Sequence, residues 1–131
     1  MPTAGTARIE HVNITVTNPK QTADLLCALF GWHIRWEGPS MLGGHTLHVG
    51  DDSDYIAVYS NDDATSPVRK FAKGQPLNHI GIVVDDLDAI EQKVIAAGLK
   101  PFSHGDYDPG RRFYFFDPDG IEYEIVSYRT Q

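Results

Sequence analysis

The sequence predicts an α+β fold: two paired β-α-β-β-β modules. Three observations carry this. An alternating apolar strand, a capped helix and a helix-ending glycine occur in the same order twice along the 131 residues. The spacing is nearly constant, since His79 follows His11 by 68 positions and Gly98 follows Gly31 by 67. Each copy then continues into short β-rich runs broken by Gly, Asp and Pro, which punctuate strands. Neither copy of about 55 residues can bury enough core alone, so the copies must pair within the chain or across a dimer.

The elements follow in order. Residues 1–7 are small and polar and read as a loose terminus. Ile9 to Val16 alternates, with Glu10, Val12, Ile14 and Val16 on one face and Ile9, His11, Asn13 and Thr15 on the other. Asn18 followed by Pro19 is a helix start, a capping side chain before proline at the first helical position. That helix runs to about Phe30, with Ala23, Leu26, Leu29 and Phe30 on its apolar stripe and Gly31 as its left-handed cap. Strands are expected at Trp32 to Glu37, Thr46 to Val49 and Tyr55 to Ser60. Module 1 is thus about 8–60, and the polar, Pro- and Gly-broken stretch 61–76 reads as a linker. Module 2, about 77–128, restarts with the strand Leu77 to Val84. A helix follows, capped by Asp85 or Asp86 and carrying Leu87, Ile90, Val94 and Ala97 on its stripe. A strand near Lys100 to Phe102 and a loop of Gly, Asp and Pro lead into Phe113 to Glu124. There two aromatic runs flank Asp-Pro-Asp-Gly, a turn between hairpin arms.

Composition narrows the partners. A net charge of −7 argues against nucleic acid, whose phosphates need clustered Lys and Arg. No run approaches the roughly 18 apolar residues that span a membrane, and the N-terminus lacks a signal-peptide pattern. The single cysteine, Cys27, excludes an internal disulfide and fits a cytoplasmic location. In helix 1 it reads as a packed thiol.

The chemistry centres on Glu124. A carboxylate inside a β-rich run is costly to bury unless it is paired or holds a metal. His11 and His79 occupy equivalent places in the two first strands, and Glu124 lies in the last strand of module 2. The place equivalent to Glu124 in module 1 holds Ala57. Two imidazoles and a carboxylate suit one divalent ion of the Zn, Fe, Ni, Co or Mn type, with positions left open for substrate or water. Glu122 reads as a solvated neighbour of Glu124. Asn13 and Thr15 share the His11 face, and Tyr55, Ala57 and Tyr59 share another, so these are candidate substrate contacts. Arg111 and Arg112 are candidates for an anionic substrate group, Arg112 the preferred one. His33, His45 and His48 have no partner pattern and read as non-ligands.

The repeated module, a histidine in each first strand and the ending DPDG-I-E-Y-E resemble the vicinal oxygen chelate superfamily, which includes glyoxalase I, extradiol dioxygenases, fosfomycin-resistance transferases and bleomycin-binding proteins. The resemblance covers about Ala7 to Tyr128. It implies that the two modules form an open, glyoxalase-like cup of mixed sheets around a metal held by His11, His79 and Glu124, acting on a small molecule with vicinal oxygens. Glu124 would double as catalytic base. Tyr114, ten residues earlier, matches a tyrosine near substrate in such enzymes; facing Glu124 requires an odd-length or bulged turn. His104 is the candidate for a second active-site histidine. The reaction implied is of the lyase/isomerase or ring-cleaving dioxygenase type. The alternative is a non-catalytic, ligand-sequestering protein of the bleomycin-resistance type. Two-module members form homodimers, so the three ligands belong either to one chain or to two.

Overall fold

The computed structural model describes residues 9–40, 43–61, 77–107 and 110–128. The expected loose terminus and most of the expected linker lie outside them. The described chain runs β1 (His11–Thr15), α1 (Pro19–Phe30), β2 (His33–Pro39), β3 (His45–Gly50), β4 (Tyr55–Ser60), β5 (Ile80–Val83), α2 (Leu87–Ala96), β6 (Phe102–Tyr107), β7 (Gly110–Phe116) and β8 (Glu122–Ser127). The strands form two four-stranded mixed sheets of identical order, β1-β4-β3-β2 and β5-β8-β7-β6. In each sheet the first strand pairs parallel to the last of its module, and the other pairings are antiparallel. The duplication seen in the sequence is therefore a duplication of topology.

Helix α1 begins and ends where its chemistry dictates. The Asn18 side chain accepts from the Gln21 backbone N–H, and Pro19 fills the first turn. Gly31 closes the helix at φ 71°, its N–H donating to the Cys27 carbonyl. Ala23, Leu26 and Leu29 are buried against the first sheet, under Ile14, Leu47, Val49, Ile56 and Val58. Asp86, the second of the two candidate caps, starts α2 by accepting from Ala89 N–H. Ala97 is exposed rather than part of the stripe, because α2 stops at Ala96 and Ala97 is already its cap. The second core is aromatic: Phe113, Phe115 and Tyr123 are fully buried, the last two stacked at 5.2 Å. The helices touch each other and link the two sheet layers.

The edge strands depart from expectation. β2 continues through Gly38-Pro39, and β6 occupies Phe102 to Tyr107, where a loop was expected. Both are edge strands, which tolerate Gly and Pro because one side of the ladder needs no donor. Their pairing with β3 and β7 fixes them, against their own weak propensity.

Candidate metal and substrate site

The turn after β7 decides where the key carboxylate points. Asp117 Oδ1 accepts from the backbone N–H groups of Asp119 and Ile121, and Asp117 N–H donates to the Ile121 carbonyl. Phe116 and Glu122 close the ladder around residues 117–121. This is an odd, five-residue loop, which sets Tyr114 directly opposite Glu124 on the same face. Burial, then the Glu124 charge, raise the Tyr114 phenol, so it keeps its proton at neutral pH.

Glu124 is held from two sides. Its Oε1 lies 3.0 Å from His79 Nε2, and its Oε2 accepts from Arg112 Nη1 at 2.8 Å. Its parallel partner on β5 is Gly81, where a side chain would meet only open space, so nothing from that strand covers the carboxylate. His79 edges onto the Tyr114 ring at 5.7 Å. Phe102 and Phe116 extend this wall of rings, 5.0 Å apart.

His11 lies on the other sheet. It stacks on Tyr55 at 4.7 Å, and His48 also stacks on Tyr55, at 4.4 Å. The register places Asn13 beside Ala57 and Gly81 beside Glu124. Ala57 therefore occupies the place of Glu124 in the first module, as the repeat spacing implied. His11 and His79 both line a cleft of about 600 Å³ between the free edges of β1 and β5. Among the described residues of one chain, however, no three potential ligands converge. The chain brings His79 and Glu124 together and leaves His11 apart.

Sequence reasoning missed two residues. His11 Nδ1 lies 2.7 Å from Glu10 Oε1, and His79 Nδ1 lies 2.8 Å from Asn78 Oδ1. With Nδ1–H donated to an oxygen, each ring presents Nε2 outward, the orientation that metal-ligating histidines use. The signal was a polar residue directly before each repeat-equivalent histidine. The His11 hydrogen bond also holds the Glu10 carboxyl below the usual range. His79, Glu124 and these oriented nitrogens fit a divalent ion by donor type, and Glu124 Oε1 is the oxygen not taken by Arg112.

Other expectations shift. Arg111 pairs with Asp88 of α2, outside the cup. Arg112, expected to take a substrate anion, instead spends its charge on Glu124 and lies 4.5 Å from the Tyr107 ring centroid. His104 pairs with Glu91 of α2 and stacks on core-facing Phe113, so it points away from Glu124. Glu122 is 4% exposed, not solvated, because β8 is an inner strand with a neighbour on each side. His33 and His45 contact Asp52 and Glu37 at the surface. Among the described residues no helix is long and apolar enough to cross a membrane.

Residues 8–125 match the model of the Glyoxalase/Bleomycin resistance protein/Dioxygenase superfamily. No curated protein matches the chain. Among solved structures, a glyoxylase/bleomycin resistance protein/dioxygenase domain from Frankia sp. EAN1pec superposes with a TM-score of 0.82 at 20% identity, covering 95% of this chain and 100% of that one. SMU.1112c superposes with a TM-score of 0.75 at 20% identity, covering 93% and 99%. The fosfomycin resistance protein FosX from Listeria monocytogenes, solved with Mn(II) and sulfate, gives a TM-score of 0.69 at 16% identity, covering 94% and 93%. At these identities the likeness is one of fold.

Proposed function

This chain belongs to the Glyoxalase/Bleomycin resistance protein/Dioxygenase superfamily, and on that premise we propose a divalent-metal-dependent enzyme acting on a small molecule with vicinal oxygens. The observation that carries this reading is the His79–Glu124 pair, 3.0 Å apart, facing open space over Gly81. His11 of a second copy supplies the third ligand, which makes the working unit a homodimer with sites shared between chains. Both histidines are pre-turned for this by Glu10 and Asn78. The FosX structure with Mn(II) lends the metal general support, since it shares the fold.

A bound divalent ion would supply Lewis acidity toward a substrate carbonyl or hydroxyl oxygen. The chain's own groups do the rest. Arg112 pins one oxygen of Glu124, which leaves Oε1 to ligate or to take a proton from substrate. Tyr114, protonated and opposite Glu124, donates a hydrogen bond to a substrate oxygen held there. Asn13, Tyr55, Ala57 and Tyr59 lie on the same sheet as His11, so in the shared site the second copy supplies them with its His11 as the facing wall. Lyase/isomerase and ring-cleaving dioxygenase chemistry both fit this arrangement.

One observation favours a second reading, a ligand-sequestering protein. Glu124 is ion-paired with Arg112 at 2.8 Å, a partner that satisfies its charge. Elemental analysis of purified protein separates the two. The enzyme reading expects about one metal ion per chain, as a three-ligand site demands, and its loss in folded His79→Ala. Metal-free wild-type protein that stays metal-free on dialysis against Mn, Fe, Ni, Co and Zn salts overturns it.

A further inference from the structure

Strand β2 carries a bulge where it pairs with β3. Ile34 lies opposite Val49 and Trp36 opposite His48, so Arg35 is one residue too many for the ladder. In a regular strand, neighbours point to opposite faces. The extra residue breaks that alternation. Ile34 packs on the core, while Arg35 and Trp36, consecutive in sequence, both meet the ring group around Tyr55. Trp36 lies 5.0 Å from His48, and the guanidinium carbon of Arg35 sits 4.6 Å from the centre of the Tyr55 ring. Opposite Tyr55 on β3 stands Gly50, so no side chain there competes for the place. Tyr55 in turn stacks on His11 at 4.7 Å, which sets the cation one aromatic ring away from the proposed ligand.

Arg35 is charged at any ordinary pH. It is exposed and makes no ion pair among the described residues. The carboxylates that feel its charge include Glu10 and Asp51, and both are engaged by other groups. Glu10 holds His11 Nδ1 at 2.7 Å and accepts from the Tyr55 hydroxyl at 3.4 Å. Asp51 accepts from the backbone N–H groups of Ser53 and Asp54. The other described arginines are committed, Arg111 to Asp88 and Arg112 to Glu124. A guanidinium laid over an aromatic ring is fixed in place, with its N–H edge left for the oxygens of an anion.

From these observations we propose that Arg35 receives an oxyanion of the substrate, a carboxylate or phosphonate at one end of a small molecule whose vicinal oxygens lie at the metal position. In the shared site this cation arrives from the second copy, together with His11. The inference deepens the proposed function by adding a charged group to the substrate's description, and rests on that reading for its link to chemistry.

The test uses full-length protein treated with EDTA, so that it does not depend on the metal. Methylphosphonate, acetate and the neutral isostere acetamide are titrated at low ionic strength, followed by the NMR shifts of the Tyr55 and His48 ring protons. Saturable shifts are expected with at least one anion and none with acetamide; the tighter anion identifies the group. Arg35→Gln is expected to weaken that binding about tenfold or more, the worth of a charge-assisted hydrogen bond, with the fold intact by circular dichroism. Arg35→Lys keeps the charge without the fork and is expected to fall between wild type and Arg35→Gln. Arg111→Gln, outside the cup, is expected to bind as wild type does. Acetamide binding as well as the anions, no binding of either anion, indifference to Arg35→Gln, or an equal loss in Arg111→Gln overturns the proposal. The protein is metal-free throughout, so failure here leaves the metal reading standing, and failure of the metal reading leaves these titrations unchanged.

Discussion

Asp117 shows how a single side chain serves the turn at a cost. It is 4% exposed, and burial raises its carboxyl from the ordinary aspartate value of 3.8 to about 6. Its two backbone donors and the Tyr123 hydroxyl offset only part of that rise. A folded value above the unfolded one means the native state binds the proton more tightly. Stability is therefore greatest below about pH 4 for this group and falls as pH rises through about 6, by up to about 3 kcal/mol. Asp117→Asn keeps an oxygen for the two N–H groups and removes the charge. Urea unfolding of wild type and variant at pH 4 and pH 7 is expected to diverge in the variant's favour; parallel profiles would refute the assignment. At this scale the sequence was most readable where a residue repeats, as His11 and His79 do. It was least readable where a partner depends on three-dimensional reach. Arg112 looked like a free cation because its ion pair with Glu124 spans two strands, and His104 looked available because nothing local revealed Glu91.

Among the elements, α1 was legible from end to end because its signals are local: Asn18, Pro19 and Gly31 each act within one turn. Thermal unfolding should reflect this. Asn18→Ala removes an N-cap and is expected to cost about 1 kcal/mol. Gly31→Ala, at φ 71° with no atom near the added carbon, is expected to cost a similar amount from backbone strain alone, about 1 kcal/mol. No change in midpoint for either would contradict the capping account. The edge strands β2 and β6 were illegible for the opposite reason. Their ladders to β3 and β7, set by distant residues, hold sequence that has little strand propensity of its own. The DPDG hairpin was readable as a turn, but its five-residue span, and hence the facing of Tyr114 and Glu124, emerged only from the register.

At the scale of the whole molecule, the described residues of two copies of one topology meet through their helices and through a polar bridge. Asp119 of the second module accepts from both the backbone N–H and the hydroxyl of Thr17 in the first. Asp119→Ala is expected to lower stability by about 1 kcal/mol or more while leaving the turn's Asp117 bonds in place, as read by denaturant unfolding. An unchanged midpoint would show that the bridge contributes nothing. The pairing of modules was foreseeable from the repeat and from the small core of each half. Which histidine meets which carboxylate was not, because spacing along the chain does not say whether equivalent strands face each other within one molecule or between two. The described chain sets His79 against Glu124 and leaves His11 apart, with β1 and β5 both at free sheet edges. The central claim is that these three side chains hold one divalent ion across a pair of chains. Unfolding and refolding His11→Ala and Glu124→Ala proteins together at equal ratio tests it most directly, by metal bound per chain. Each variant alone should bind none. In random dimers one composite site per hybrid survives, so the mixture should recover about a quarter of the wild-type metal. A mixture as empty as either parent would contradict the shared site.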